Sequence, residues 1–397
     1  MSAEMFAPSE RTMWSKEPGE ADRRLNDDEI NLKYGKRELR IVTEMNREQL
    51  PNFVEALKRS GWMELRPFYQ RRQRWDPIRQ SKLIESFIMN IPVPPLFVYE
   101  SDLAKYEVMD GQQRITAIRD FYSNKLRLEG LEQWPELNGR IYDQLPGEIR
   151  KGIDRRSISY FVLLKESAVT SEEEALLRQQ VFERLNTGGV RLSKQEIRNS
   201  IYHGKFNSML LDLAKNSVYR SAWDIPEYTS EEESKPSDEL SKTPMFAQMR
   251  DAEIILRFFA LRHAEYYKWG MARFLDLYMV RARRFTDEDV QVLRALFNQT
   301  IGVAHQIYGE LLFLSWDPES HKWQRPQVAF ADAVMVGISQ RLDFASLLVS
   351  RKDSVVEFTK ELFQNNPPGT FTGQKNSKKD VQQRIDLFDA MLARVIL

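Results

Sequence analysis

The chain has 397 residues, and the 42% that are hydrophobic supply enough apolar material for a sizeable core and suggest two domains. The 58 basic and 58 acidic side chains balance, so any basic binding site must be local. Cysteine is absent, which excludes disulfides, thiol catalysis and thiolate metal sites, and the four histidines form no HExxH pair. No apolar run approaches the roughly 18 residues that span a bilayer, and the N-terminus lacks a signal-peptide core. We therefore expect a cytoplasmic protein that does not contact membranes.

The composition changes along the chain and predicts four regions. Residues 1–36 are charged, interrupted by proline and poor in clustered apolar residues, so they predict a mobile N-terminal arm. Residues 37–200 mix strand and helix patterns, which is typical of an α+β domain. Residues 201–243 predict a connecting helix and a solvated acidic linker, in which Glu227–Ser241 holds six acids and one lysine. Residues 244–397 are almost entirely helical in pattern and predict an all-α domain.

The elements predicted in the first domain alternate between short strands and amphipathic helices, and the helical half includes a long candidate helix at Val328–Val349. In chain order, the elements within residues 37–200 are a strand at Leu39–Thr43, a helix from Leu50 that stops at Gly61, a helix that begins at Pro77 behind the capping residue Asp76, strands at Leu96–Glu100 and Lys105–Met109, a helix opened by Asp110–Arg114, strands at Lys125–Leu128 and Ser157–Leu164, and helices beginning at Ser171 and Ser193.

The most informative motif is Asp110-Gly-Gln-Gln-Arg114, which lies between a predicted strand and a predicted helix. A helix N-terminus offers unpaired backbone N–H groups and the positive end of the helix dipole, and both favour phosphate. Gly111 would let a ligand approach the backbone, Arg114 could bind phosphate oxygens, and Asp110 could bind Mg²⁺ through that phosphate or orient a water. The alternative is structural, because Asp-Gly is a common turn and Asp a common helix cap. The P-loop and GxGxxG patterns are absent, so this would be a different phosphate cradle.

A second motif is the arginine-rich and aromatic stretch Phe68–Trp75. Arginine interleaved with aromatic residues suits phosphate and base-stacking contacts. Equally, the aromatic residues could be core and the arginines a solvated face. Between Arg66 and Lys82 the local net charge is +5, from one acid, Asp76, and six basic residues, Arg66, Arg71, Arg72, Arg74, Arg79 and Lys82.

The third motif is Phe182–Gly189, followed by Arg191, Ser193 and Lys194. In the functional interpretation Asn186, Thr187 and the amides of Gly188 and its neighbour close over a ligand. In the simpler interpretation the two glycines end one helix and turn the chain. The spacing alone favours the simpler interpretation.

These motifs occur together and in order, and the combination resembles the N-terminal domain family of GmrSD-type restriction systems, which is itself similar to the ParB and sulfiredoxin-like fold. The resemblance covers about residues 37–200 and extends more weakly to Asp251–Arg257 and Arg273–Asp276. The stretches that carry it are Tyr69–Arg71 with Trp75, Leu83–Ser86, Ile91–Pro95, Asp110–Arg114, and Phe182–Gly189 with Leu192 and Ser193.

The resemblance implies a ParB/sulfiredoxin-like domain with a short mixed sheet, followed by an all-α domain. It also implies a nucleotide site at Asp110–Arg114 with Tyr69, Gln70 and Arg71 beside it, in a protein of bacterial anti-phage defence. The implied ligands are a nucleoside triphosphate and Mg²⁺ held by Asp110. Gln112 or Gln113 would orient the nucleophile, and Arg71 would stabilise charge on the transferred phosphoryl group.

Relatives fuse or pair this half with an HNH nuclease, and none of the four histidines here lies in such a cluster. We therefore expect a separate nuclease or other defence protein as partner, together with DNA, and leave self-association open. The leading hypothesis is a nucleotide-binding regulatory protein that is a candidate NTPase. One alternative is a non-enzymatic DNA-binding adaptor that contacts DNA through Arg72, Arg74, Arg79 and Lys82. The least favoured alternative is a ParB-like nuclease that cuts DNA through Asp110 and Glu85 with a metal.

Overall fold

The contacts divide the chain into two compact units. The first, here called the sheet unit, is Asp22–Arg191, and the second, the helical unit, joins Met1–Ala21 to Leu192–Leu397. The computed structural model describes residues 6–14, 26–28, 31, 43–64, 75–164, 171–185, 193–202, 204–233, 237–373 and 376–397.

The sheet unit is built on a five-stranded mixed sheet with the strand order β1-β5-β3-β4-β2. β1 and β3 each run beside β5, antiparallel and parallel respectively, while β4 lies antiparallel to β3 and parallel to β2. The strands are β1 (Thr43–Gln49), β2 (Met63–Glu64), β3 (Leu96–Asp102), β4 (Lys105–Asp110) and β5 (Ser157–Leu163).

Four of the helices described in the sheet unit place an apolar core against one face of this sheet, and the fifth, Ser171–Leu185, contacts the opposite face through Arg178. Alternate residues of the strands, such as Val98, Val108 and Val162, point into this core, which also holds Phe53 and Ile118. The helices are α1 (Leu50–Leu57), α2 (Pro77–Ile88), α3 (Gln112–Tyr122), α4 (Gly147–Asp154) and α5 (Ser171–Leu185).

Most elements predicted for this unit are confirmed. The Asp76 side chain accepts a hydrogen bond from the Arg79 N–H at 2.7 Å and caps α2 as expected. The strand predicted at Lys125–Leu128 is wrong, because Leu126 and Leu128 are buried in the core but the segment joins no sheet. The segment is instead held by hydrogen bonds between Leu128 and the loop at Gly139 and Arg140. The strand predicted at Leu39–Thr43 lies outside the described residues except for Thr43.

The helical unit consists mostly of helices, as predicted, but adds one unpredicted antiparallel hairpin, β6 (Leu314–Asp317) with β7 (Lys322–Pro326). Its helices are α6 (Lys194–Ile201), α7 (Lys205–Leu213), α8 (Ser217–Ala222), α9 (Asp238–Lys242), α10 (Pro244–Ala247), α11 (Arg250–Leu261), α12 (Met271–Ala282), α13 (Asp287–Tyr308), α14 (Val328–Ser339), α15 (Ala345–Ser350), α16 (Lys352–Asn365) and α17 (Lys378–Ile396).

The helix predicted at Val328–Val349 is broken in the structure. α14 ends at Ser339, and the following Leu342–Ser350 is bent by 76° from it. Arg341, which lies at the bend, pairs with Asp389 of α17 through two hydrogen bonds of 2.8 Å. Among the described residues no single helix is long and apolar enough to cross a membrane, and these two segments pass that test only when taken together.

Two stretches that were predicted to be loose are packed in the helical unit. Residues 6–14, part of the predicted mobile arm, bury Ala7, Glu10 and Trp14 against this unit. Glu232, part of the predicted solvated linker, pairs with the buried Arg220 through two hydrogen bonds of 2.7 and 2.9 Å. In both cases a glutamate of a charged segment pairs with a buried arginine: Glu10 with Arg262, 252 positions away, and Glu232 with Arg220, 12 positions away. Composition does not reveal such pairs.

Candidate functional site

The turn between β4 and α3 is tightly packed. Gly111 adopts a left-handed conformation with φ of 94°, which glycine tolerates best. A Cβ atom at this position would lie 2.3 Å from Cδ2 of Leu96 on the neighbouring strand β3. The turn therefore needs glycine both for its backbone angle and for the close approach of β3.

Arg114 binds the protein around this turn. Its Nη2 donates a 2.6 Å hydrogen bond to Oδ2 of Asp110, and its Nη1 donates to the carbonyl oxygens of Pro94 and, at 3.4 Å, Pro95. The Arg114 side chain is 11% exposed, whereas that of Asp110 is 33% exposed. Arg114 therefore fastens the proline-rich connector to the start of α3, and a phosphate would have to compete with Asp110 for its guanidinium.

The two glutamines of the motif also make structural contacts. Gln112 is buried, while Gln113 accepts a 3.2 Å hydrogen bond through Oε1 from the backbone N–H of Trp75. The Trp75 carbonyl in turn accepts a 2.9 Å hydrogen bond from Nε2 of Gln80. The end of the arginine-rich stretch is thus held at the N-terminus of α3. The candidate residues Tyr69, Gln70, Arg71, Arg72 and Arg74 lie outside the described residues.

Arg79 and Lys82 lie on the exposed side of α2. The Arg79 side chain is 62% exposed and its Nε is 4.0 Å from Oδ2 of Asp76. Lys82 is half exposed and donates a 2.6 Å hydrogen bond to Oε1 of Glu132. This hydrogen bond raises the pKa of Lys82 and lowers the pKa of Glu132.

Glu85 has a structural partner rather than a metal-binding geometry. Its Oε1 accepts backbone hydrogen bonds from Gln133 at 2.8 Å and Trp134 at 3.1 Å, and the residue is buried. The described part of the chain contains no group of three or more histidine or acidic side chains that could hold a metal. Mg²⁺ is often bound by one or two carboxylates together with substrate phosphates. Asp110 alone therefore fits Mg²⁺ only beside a bound phosphate.

One buried ion pair near the site was missed by the sequence analysis. Arg178 of α5 pairs with Glu107 of β4, and its guanidinium lies 4.3 Å from the ring centroid of Tyr99 on β3. This pair fixes α5 against the open face of the sheet, three residues before Asp110 in β4. The only sequence signal was an arginine between Leu177 and Phe182 on the apolar side of α5. Asn186, Thr187 and Gly188, which follow α5, lie outside the described residues.

Residues 52–203 match the family model described as GmrSD restriction endonuclease, N-terminal domain. Searches of the curated proteins and of the solved structures give no match to this chain. The matched range includes most of the sheet unit and the first helix of the helical unit, α6. This part of the chain is therefore similar to the N-terminal domain of the GmrSD restriction endonuclease.

Proposed function

We propose that this protein is a nucleotide-binding regulatory component of a DNA restriction or defence system, with the nucleotide phosphates at the start of α3. The observation that carries the proposal is the hydrogen bond between the Trp75 N–H and Gln113. It holds Trp75, the last residue of the arginine-rich stretch, at the start of α3, where the free N–H groups of a helix N-terminus favour phosphate. The family match supports the defence context.

In this proposal the backbone N–H groups of the first turn of α3 bind phosphate oxygens, and the side chains of the motif support that turn. Asp110 carries the carboxylate of the motif and is one-third exposed, and its contact with Arg114 fixes its orientation. Arg114 acts first as a positioning residue, because its donors already hold Asp110 and the proline-rich connector.

We further propose that Asp110 orients the attacking water if the nucleotide is hydrolysed. The water would attack the terminal phosphorus, the bond to the bridging oxygen would break, and Asp110 would accept a proton. Mg²⁺ would be held between Asp110 and the phosphates and would neutralise phosphate charge. Gln112 is buried, and Oε1 of Gln113 already accepts a hydrogen bond from Trp75. Neither glutamine is therefore well placed to orient the attacking water, and we assign that role to Asp110 alone.

The second candidate function is DNA binding without catalysis. It is supported by Arg79 and Lys82, which lie exposed on α2 and follow the arginine-rich stretch. A nuclease partner would then supply DNA cleavage. The alternative in which Asp110 and Glu85 cut DNA has little support, because the Glu85 carboxylate accepts two backbone hydrogen bonds.

The proposed site can be tested by adding one negative charge to it. In Gln113→Glu a carboxylate oxygen can still accept from Trp75, and a negative charge at a helix N-terminus does not destabilise the helix, but it repels phosphate. Gln133→Glu makes the same change at an exposed position of the same unit and is the matched control. ATP, GTP, CTP and UTP would be titrated with Mg²⁺, with and without duplex DNA.

The expected result is saturable binding of at least one nucleotide, weakened at least about tenfold in Gln113→Glu and unchanged in Gln133→Glu. Unchanged binding by both variants would show that the nucleotide does not bind at the start of α3. An absence of nucleotide binding under all conditions, with DNA binding that weakens steeply as salt rises, would favour the DNA-binding adaptor.

A further inference from the structure

Residues 6–14 fill a pocket of the helical unit. The segment forms a helical turn, with a hydrogen bond from the Arg11 N–H to the Ala7 carbonyl at 3.3 Å. Phe6, Glu10 and Trp14 are spaced four residues apart, so successive members of this set lie on one side of such a turn. Ala7 and Glu10 are at most 1% exposed, which means that the segment is packed as closely as a core element.

The centre of the pocket is built to accept a carboxylate. Glu10 accepts hydrogen bonds from Tyr278 at 2.7 Å and from Arg262 at 3.1 and 3.2 Å, and its Oε1 lies 3.2 Å from Nε2 of His263. All three partners are almost fully buried. Burial alone would raise the pKa of Glu10, but Arg262, His263 and Tyr278 together lower it below its ordinary value. The pocket thus holds an ionised acid out of contact with water.

Aromatic side chains bind the two ends of the segment. At one end the Phe6 ring lies 4.6 Å from the His263 ring, measured between centroids. At the other end Trp14 stacks on Tyr266 at 5.1 Å with an interplanar angle of 3° and lies 5.5 Å from Phe274. Stacking of this kind adds specific geometry to apolar burial.

Polar contacts complete the recognition. The guanidinium of Arg281 lies 4.4 Å from the Trp14 ring centroid. Ser9 donates to both oxygens of Asp289, from its N–H at 2.9 Å and from its hydroxyl at 2.6 Å. The pocket therefore recognises both side chains and backbone of a nine-residue peptide.

We propose that this pocket is a peptide-recognition site, and that residues 6–14 occupy it as an exchangeable ligand from the same chain. The pattern that it reads is an aromatic residue, an acid and a tryptophan at intervals of four. An amphipathic helical turn laid in a groove through anchors at such intervals is a common mode of peptide recognition. The proposal is independent of nucleotide binding, because it rests on the helical unit alone.

Because residues 6–14 belong to the same chain as the pocket, they compete with any added peptide. The sheet unit lies in sequence between Met1–Ala21 and Leu192–Leu397, so the docked segment is its second connection to the helical unit. Because the segment is covalently attached to the rest of the chain, it competes with a dissolved peptide as an intramolecular ligand. A peptide of the same sequence added in solution should therefore compete poorly until the segment itself is weakened.

The test uses the full-length chain and a fluorescent peptide of residues 4–16. The double variant Glu10→Ala/Trp14→Ala weakens the segment but leaves every pocket residue in place. We expect this variant to bind the peptide saturably, and the parent protein to bind it at least about tenfold more weakly because its own segment competes. A peptide that carries Glu10→Ala should bind the double variant at least about tenfold more weakly, because it lacks the carboxylate that Arg262, His263 and Tyr278 contact.

Equal binding, or no binding, by the parent and the double variant would overturn the proposal. A double variant that no longer unfolds cooperatively would also overturn it, because the segment would then be an integral part of the core. Hydrogen exchange of the parent protein gives an independent measurement: residues 6–14 should exchange at least about a hundredfold faster than α14 through local release. Equal protection of the two would contradict an exchangeable segment.

A conservative pair of variants separates recognition from general stability. Tyr278→Phe removes the hydroxyl that donates to Glu10, and Tyr308→Phe removes an equally buried hydroxyl that pairs with Thr359 at 2.7 Å. We expect Tyr278→Phe to speed exchange of residues 6–14 at least about tenfold, and Tyr308→Phe to leave it unchanged. The same exchange rate in both variants would mean that the pocket does not hold the segment through Glu10.

Discussion

Two arginine–carboxylate pairs differ in almost every respect although their chemistry is the same. Asp110 and Arg114 are four residues apart at the start of α3, and Asp110 is one-third exposed. Glu10 and Arg262 are 252 residues apart, and both are almost fully buried. Asp110 is accessible to solvent, whereas the second pair is closed to water. Their comparison shows that the same two charged groups can be paired by local sequence near the surface, or by the tertiary fold in a buried site where each charge needs its partner.

A third arginine–carboxylate pair has both of its residues within helices of the core. Arg257 of α11 and Asp332 of α14 are buried, and Nε of Arg257 donates a 3.0 Å hydrogen bond to Oδ1 of Asp332. Both residues lie within helices, so neither can leave the core without unfolding. Glu10, by contrast, lies on the short segment 6–14, which we propose to be exchangeable. The Arg257–Asp332 pair is thus fixed within helices, the Glu10–Arg262 pair lies on the segment proposed to exchange, and the Asp110–Arg114 pair is partly exposed.

The largest effect is expected for Asp332→Ala. It leaves the Arg257 guanidinium buried without its carboxylate, and removal of one partner of a buried pair costs about 3–5 kcal/mol. Urea unfolding of the full chain measures the loss of unfolding free energy. Asp386→Ala, an exposed position on α17, is the control and should change it by less than about 0.5 kcal/mol. Equal effects of the two variants would contradict the structural role of the pair.

A smaller effect is expected for Glu10→Gln. The loss of hydrogen bonds to charged partners costs about 1.5–3 kcal/mol, and release of the segment into water would limit the cost to the lower part of this range. The same urea experiment measures it beside Asp332→Ala. A loss as large as that of Asp332→Ala would show that the segment is as fixed as α14, and would remove the distinction between the two pairs.

The docking of residues 6–14 should depend on pH. The pKa of Glu10 is lowered in the folded state, so its ionised form stabilises docking. This stabilisation is fully present above the ordinary pKa of a glutamate and is lost as the pH falls through the lowered folded value. Hydrogen exchange of residues 6–14 between pH 7 and pH 3, corrected for intrinsic rates, measures it. Glu10→Gln should reduce this dependence to the part due to Asp289, whose pKa is lowered by its hydrogen bonds from Ser9 despite burial. An unchanged pH profile in that variant would assign the whole dependence to another group.

The smallest effect on stability is expected for Asp110→Asn. An ion pair with a partly exposed partner contributes about 0–1 kcal/mol, so the unfolding free energy should hardly change. Under the proposed function, nucleotide hydrolysis should fall much more than nucleotide binding, because the proton acceptor is lost. Asp120→Asn on the same helix is the control, since Asp120 pairs with the adjacent Arg119. Equal hydrolysis in both variants would remove Asp110 from the reaction.

The sequence predicted elements best where the signal was local. The Asp76 cap with Pro77, the Ser193–Glu196 capping box and the strands around Asp110 all depend on residues a few positions apart, and the structure confirms them. The predicted strand at Lys125–Leu128 failed because its apolar residues are buried without a neighbouring strand to pair with. The long helix predicted at Val328–Val349 is broken after Ser339, and Arg341 at the bend pairs with Asp389, 48 positions along the chain, which no local pattern reveals.

The sequence by itself determined the α+β domain, the helical half, the glycine turn after β4 and the similarity of residues 52–203 to the GmrSD N-terminal domain. These depend on short-range periodicity, on caps and on a linear motif. Only the tertiary structure decided that Arg114 holds Pro94, that Arg178 pairs with Glu107 and that Glu10 is buried against Arg262. Such contacts join residues from about 20 to 250 positions apart, and a buried charge is tolerated only where the fold supplies its partner.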